Sequence, residues 1–440
     1  SLDEFALLAH LIAYFYKFLH FFNEAVTLQY ADVIYPAVAF VVALFFFFLL
    51  VQKLLDWKVA LLASAFLTVI PVYLFRTMSG VSDKEAMAMI FFYLVLYLFI
   101  SFIIDTVFLK RLAYAILGGI FAGILSLLWG AYVFVFLTLG AFFFLLVILD
   151  KVDIKTLLLY GLFYALPVLI VIIFYPDRAG LYAFTLTLSN GAIFFPLVIA
   201  IVHYLLFTKD VFKIKARVTL PPFLVTLGVV LVLGVLLFSI SAGPSALVEK
   251  GKSFVTEVTS PLVQSRWSIT VVENMQPYLT DFLPSFGIFF WASAFIASVA
   301  LFSRVVKHFP SRLALTVLYG LSLFSIAVSR YAPGSILNGS SFPSLFLFFV
   351  PLFLLVGYVL YDLNVLYRRN REEYSQVVSS VPVSPLFLLI LLFFLFLAAR
   401  GAVRFLLLLA PIIAILSAYS IVLFARFAWR LENKFYSYST

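Results

Sequence analysis

Arg76, Asp83 and Glu85 bring three charges within ten positions of a chain that is 65% hydrophobic and only 11% charged over 440 residues. Two carboxylates two residues apart, in Arg76-Thr77-Met78-Ser79-Gly80-Val81-Ser82-Asp83-Lys84-Glu85, can offer oxygen ligands to a hard divalent cation from a loop that bends around it. Arg76 is placed to hold one of those carboxylates or an anionic group on a substrate. A third acid, Glu273, lies in the long connection 242–285 and is the carboxylate best placed to meet Asp83. Arg404 stands between two long apolar runs, where a guanidinium is costly unless it is paired, near water or given an anionic partner. Arg400, one turn earlier, and Arg330, in Ser329-Arg330-Tyr331-Ala332-Pro333, are weaker candidates for the same pocket. The chain has no cysteine, which excludes thiolate chemistry, disulfides and cysteine-based metal sites. Its four histidines, His10, His20, His203 and His308, fall on separate segments, so no histidine metal site is expected.

The elements that must position these residues are membrane helices. A mean hydropathy of +1.18, with apolar runs of about 18 to 22 residues along the whole length, fits an all-α, polytopic transmembrane protein. Beta-barrel strands alternate and are only about ten residues long, so that class is excluded. The predicted helices are 33–52, 58–76, 86–104, 112–129, 131–149, 156–175, 191–207, 219–241, 286–302, 313–330, 342–361, 385–400 and 405–425, about thirteen spans in all. Residues 5–23 carry His10, Lys17 and His20 and read as an amphipathic or re-entrant surface segment. Loops 53–58, 105–111, 150–155, 208–218, 303–312, 362–384 and 426–440 fall on one side and hold 19 of the 29 lysines and arginines. By the positive-inside rule they face the cytoplasm, which puts Asp83, Glu85 and the 242–285 loop outside. The net charge of +9 is therefore topology rather than a nucleic-acid surface. One transmembrane domain, 1–440, with a long outer loop is expected.

The stretch Arg76 to Glu85 resembles the second acidic motif of the catalytic subunit of oligosaccharyltransferase, including its single-subunit archaeal and bacterial forms. Three further stretches follow in the order that family requires. Leu128-Trp129-Gly130-Ala131-Tyr132 is similar to its Trp-Gly-Gly-Tyr turn, with Ala131 in place of the second glycine. Thr270-Val271-Val272-Glu273-Asn274-Met275-Gln276-Pro277 resembles its Thr-X-X-Glu motif, and Ala399-Arg400-Gly401-Ala402-Val403-Arg404-Phe405 resembles the segment whose arginine meets a lipid-linked phosphate. The family's first acidic motif is not found, the downstream Trp-Trp-Asp-Tyr-Gly domain is absent, and Lys84 puts a cation between the two acids.

The resemblance implies a C-type glycosyltransferase fold and a defined reaction. A glycan moves from a dolichol or other polyprenyl (pyro)phosphate carrier to the asparagine of Asn-X-Ser/Thr, with Mn2+ or Mg2+ as cofactor. It implies that Asp83, Glu85, Glu273 and Arg76 are catalytic, that Asp83, Glu85 and Glu273 hold the metal, and that Arg404, Thr270, Arg330 and Trp129 contact substrate. The partners implied are the lipid-linked oligosaccharide, the acceptor polypeptide and membrane lipid, at a cell membrane if the source is prokaryotic. The Ser329 to Asn338 stretch points to an archaeal form. Because the chain opens Ser1-Leu2-Asp3-Glu4 and ends Tyr436-Ser437-Tyr438-Ser439-Thr440, an N-terminal span and a C-terminal soluble domain are expected to be missing and the piece inactive alone. Two alternatives compete: another polyprenyl-phosphate-sugar glycosyltransferase, such as a protein mannosyltransferase, and a transporter or flippase. The first has no reason for Thr270 and Glu273, and the second predicts charges near mid-span.

Overall fold

A computed structural model describes residues 4–174, 188–211, 213–214, 218–243, 245–246, 248–249, 251–252 and 272–439. Among these residues the chain is helical, with one isolated antiparallel bridge, Arg330 to Asn338. Hydrocarbon offers a peptide group no water, so each span satisfies its N–H and C=O groups internally.

The helices run α1 Glu4–Phe22, α2 Leu28–Leu54, α3 Trp57–Leu67, α4 Pro71–Thr77, α5 Lys84–Ile104, α6 Phe108–Leu128, α7 Tyr132–Ile148 and α8 Ile154–Phe174. They continue as α9 Leu188–His203, α10 Pro222–Ala242, α11 Leu279–Phe286, α12 Ile288–Val305, α13 Arg312–Val328, α14 Phe342–Arg369, α15 Arg371–Ser380, α16 Val383–Gly401 and α17 Leu406–Ser439. Nine of the described helices are long and apolar enough to cross a membrane, or ten if the bent pair α3 and α4 makes one span. Each of the thirteen predicted segments is helical, yet the count of about thirteen spans is not reached. Helices α7 and α13 are shorter, at 17 residues each. The segment predicted as amphipathic is α1, which buries Leu8 and Ile12 and exposes Tyr14, Phe18, Phe21 and Phe22.

The core is organised on α17. Every residue from Leu406 to Tyr419 is buried, as expected of a helix that is apolar on all sides. Helices α3, α4, α12 and α16 pack around it. Elsewhere small residues let backbones approach, a common device where lipid removes the hydrophobic drive between helices. A β-carbon on Gly140 would lie 1.8 Å from the Ala192 carbonyl oxygen, so α7 and α9 meet there only because it is glycine.

One break matters for the site. The span predicted over 58–76 is two helices bent by 69° between Leu67 and Pro71. Proline has no N–H to continue a ladder and favours an extended residue before it, and Ile70 is extended. The short α4 that follows leaves the axis of α3 and carries Arg76 in its last turn.

Candidate active site

The turn from α4 to α5 is built by local rules and then pinned from a distance. Gly80, at φ +91°, makes the left-handed step that reverses the chain. Its N–H donates to the Val33 carbonyl at 2.9 Å. Ser82 Oγ donates to Asp32 Oδ1 at 2.6 Å, and the Tyr35 hydroxyl donates to the Asp83 carbonyl at 2.6 Å. Three residues in the first turns of α2 thus hold the acidic turn. None was legible in the sequence, because the contacts cross about fifty positions and leave no spacing to read.

Asp83 is the N-cap of α5 and accepts from the Lys84 N–H at 2.7 Å, while Glu85 lies in the first helical turn. Both acids therefore sit at the positive end of the helix dipole. Asp83 is partly exposed, and Glu85 is only 4% exposed.

Arg76 collects the acids. Its Nη1 is 3.9 Å from Asp83 Oδ2 and 3.5 Å from Glu85 Oε2, and its Nη2 is 2.6 Å from Glu273 Oε1. Glu273 arrives on the 3-10 turn Val272–Asn274, which packs on a second such turn, Val403–Phe405. The Met275 carbonyl accepts from the Val403 N–H at 2.9 Å, and this places Arg404 beside the loop. Glu85 lies within electrostatic reach of Arg76, Asp83, Glu273 and Arg404. Carboxylates from two distant parts of the chain thus share one guanidinium.

Their arrangement differs from the metal triad expected from Asp83, Glu85 and Glu273. Among the described residues no three acids or histidines stand close enough together to hold an ion. A guanidinium fork, which can donate to several carboxylates at once, lies at the centre instead. The donor chemistry still fits a hard cation. All three groups offer carboxyl oxygen, three carboxyl groups face one guanidinium, and Glu85 Oε2 is buried without a hydrogen-bond partner. Asn274 Oδ1 and Arg404 Nε are buried and unpartnered as well. Two acceptors and a donor without partners at one site are what a bound polar molecule would satisfy.

The remaining predicted site residues separate. Arg330 donates from Nε to the Pro277 carbonyl at 3.1 Å and from Nη2 to the Gln276 carbonyl at 3.4 Å. Burial draws its guanidinium below the usual arginine range, against the pull of Tyr278 and Asp281. Its fork is occupied by backbone, which differs from the substrate contact expected. Arg400 is turned the same way, donating to the Ile326 carbonyl and lying over the Phe348 ring. Trp129 is 3% exposed and closes α6, its N–H donating to the Leu125 carbonyl at 3.0 Å. It belongs to the packed core. Thr270 lies outside the described residues.

Solved structures share this fold. The Archaeoglobus fulgidus oligosaccharyltransferase AglB, in complex with an inhibitory peptide and a dolichol-phosphate, superposes with a TM-score of 0.57 at 18% identity, over 97% of this chain and 43% of that one. An apo form of the oligosaccharyltransferase from the same organism gives 0.58 at 17% identity, over 98% and 44%. A form tethered to an acceptor peptide containing an NVT sequon gives 0.55 at 18% identity, over 95% and 41%. The chain therefore spans less than half the length of these proteins. A comparison with curated proteins finds no match. The model of the family described as oligosaccharyl transferase STT3, N-terminal, matches residues 6–248, more than half of the sequence, and the chain belongs to that family.

Proposed function

We propose that this chain is the membrane-embedded catalytic part of an oligosaccharyltransferase. It transfers a glycan from a polyprenyl (pyro)phosphate carrier to the asparagine of Asn-X-Ser/Thr. The observation that carries the reading is the convergence of Asp83, Glu85 and Glu273 on Arg76, with Arg404 beside them. The family match and the shared fold support it, and solved relatives of that fold carry a dolichol-phosphate and a sequon peptide.

In the reaction the bond between the sugar C1 and a phosphate oxygen breaks, and a bond from the asparagine amide nitrogen to C1 forms. An amide nitrogen is a poor nucleophile because its lone pair is delocalised into the carbonyl. Carboxylates that accept hydrogen bonds from the amide N–H groups weaken that delocalisation and provide a place for the departing proton. Asp83 and Glu85, held on the rim of α5, and Glu273, brought by the loop, are the groups able to do so. Arg404, with a buried Nε free to donate, faces the charge that grows on the leaving phosphate. A divalent cation, Mn2+ or Mg2+, would be held by Asp83, Glu85 and Glu273 and would supply charge neutralisation and orientation of the reacting groups. Arg76 then balances the excess negative charge of the acids.

The positive-inside count of the loops supports an outward-facing site, where a translocated acceptor and an outward-facing lipid-linked sugar meet. A transporter is disfavoured because these charges gather at one rim rather than mid-bundle. The test is transfer of a polyprenyl-linked oligosaccharide to a fluorescent Asn-X-Thr peptide by the full-length protein, with Mn2+ or with a chelator. Transfer should need the ion and fall to near zero in Asp83→Ala. An unmodified peptide with the wild-type protein, or undiminished transfer by Asp83→Ala, contradicts the assignment.

A further inference from the structure

Five consecutive residues of the outer loop, Gln276 to Thr280, are gripped by one short segment on the opposite side of the site. Arg330 donates to the carbonyls of Gln276 and Pro277 and lies with its guanidinium carbon 4.4 Å from the centre of the Tyr278 ring. Its own carbonyl accepts from the Leu279 N–H at 2.8 Å, and the Tyr331 carbonyl accepts from the Thr280 N–H at 3.4 Å. With Met275 already held by Val403, every residue from Met275 to Thr280 is tied to a neighbour outside the loop. Glu273 lies just upstream of this locked stretch and reaches Arg76 from it.

The grip is itself rigidly mounted. Tyr331 N–H donates to the Leu337 carbonyl at 2.7 Å, Arg330 pairs with Asn338, and the Gly339 N–H donates to Ser344 Oγ at 3.0 Å, fastening the segment to α14. Gly339 has φ +91°, and a β-carbon there would lie 2.6 Å from Arg330 Nη1 and 2.9 Å from its Cγ. The glycine therefore forms a cradle that only an unsubstituted backbone leaves open. Arginine suits this place because a planar fork can donate to successive carbonyls while its face stacks on an aromatic ring. Lysine, a point charge, cannot do both.

We infer that Arg330, seated against Gly339, is a positioning residue that locks the C-terminal root of the 242–285 loop, so that Glu273 is presented at a fixed reach to Arg76 and the acids of α5. The mechanical part stands on these contacts alone, and its consequence for turnover rests on the transferase reading above. Sequence reasoning places Arg330 among the anion ligands because a lone arginine on the outer rim looks like one, and carbonyl partners leave no trace in a sequence. The structure gives it the root of the loop to hold and leaves Arg404 as the guanidinium with an unpartnered nitrogen.

The experiment is hydrogen exchange on the full-length protein in lipid nanodiscs, comparing wild type with Arg330→Lys and Gly339→Ala, paired with steady-state transfer to an Asn-X-Thr peptide. Arg330→Lys keeps the charge and stem, and Gly339→Ala keeps the arginine but crowds it, so the two reach the lock by different routes. Both should raise exchange across 272–280 while leaving the spans protected as in wild type. Both should lower kcat about 10- to 100-fold, as expected when a reacting group is displaced by about 1 Å, with a smaller change in KM for the peptide. Unchanged exchange across 272–280 in both variants overturns the lock, as does raised exchange spread over all helices with a matching loss of thermal stability. If wild type transfers nothing while the variants still loosen only 272–280, the lock stands and the transferase reading fails.

Discussion

The two ends of the helix bundle use their charges in opposite ways. At the end carrying the basic loops, three carboxylates are answered locally. Asp56 caps α3 through the Lys58 and Val59 N–H groups and receives Arg426 Nη2 at 2.6 Å. Asp153 accepts from Thr156, which also takes a hydrogen bond from Arg111. Asp362, 5% exposed, accepts from the N–H and hydroxyl of Ser311 and so secures the start of α13. At the other end three carboxylates crowd one guanidinium. Among the described residues the only charged side chains with buried, unpartnered polar atoms, Glu85 and Arg404, are both there. Satisfied charges hold helices in register, whereas unsatisfied buried charge costs stability and persists where something else completes it.

That contrast can be broken at several points. After the loss expected in Asp83→Ala, the largest effect is expected at Arg404→Ala, which removes the guanidinium proposed to face the leaving phosphate. Transfer by the full-length protein should fall about 10²- to 10³-fold, the range seen when one donor to a developing oxyanion is lost, with thermal stability unchanged. A fall in stability of the same order as in the Asp362 variant below would class Arg404 with the structural charges.

A smaller loss is expected from the bracket on α2. Asp32→Ala and Ser82→Ala should each reduce kcat about tenfold through a displaced Asp83, and the double variant should be no worse than either alone. Asp32→Asn keeps an acceptor for Ser82 and should restore most of the rate. Losses that multiply in the double variant would show that the two residues do not act through one hydrogen bond.

At the opposite end the readout should change in kind. Asp362→Ala leaves the half-buried Ser311 donors without their carboxylate and should cost about 1–3 kcal/mol in stability, measured by unfolding in detergent, with KM for peptide and carrier unaltered. The smallest effect concerns Asp56. Partial burial alone would raise its carboxyl, but the Val59 N–H, the Arg426 guanidinium and the Lys58 N–H together hold it below the usual range. A depressed folded value means that its contribution is present above the ordinary carboxylate pKa of about 3.9 and is lost as pH falls through the folded value. Asp56→Asn should therefore narrow the difference in Tm between neutral pH and about pH 3. An unaltered difference would remove Asp56 from the set of structural anchors.

How much of this was readable in advance follows from the same physics. Charges are costly in an apolar chain, so Arg76, Asp83, Glu85, Glu273 and Arg404 stood out by type, and the order of their motifs pointed to one family. The segment predicted over 58–76 ran through Pro71 as one helix, and the proline breaks it into α3 and α4. The bracket of Asp32, Tyr35 and Ser82 was hidden because an aspartate at the start of a span and a tyrosine one turn later look like ordinary interfacial residues. Arg330 and Trp129 were expected to contact substrate and Arg400 was a weaker candidate because their types suit it, while carbonyl partners and core packing are properties of the folded chain. The count of about thirteen spans is not confirmed by length and composition alone, because α7 and α13 have the apolarity of spans in 17 residues each.

The most direct measurement of the central claim is Mn2+ binding to the full-length membrane protein, followed by electron paramagnetic resonance. One ion per chain is predicted, bound more weakly in each of Asp83→Ala, Glu85→Gln and Glu273→Gln, and bound as in wild type by Asp362→Ala and Asp56→Asn. A wild-type protein that binds no ion, or one whose affinity survives loss of both Asp83 and Glu273, would contradict the account.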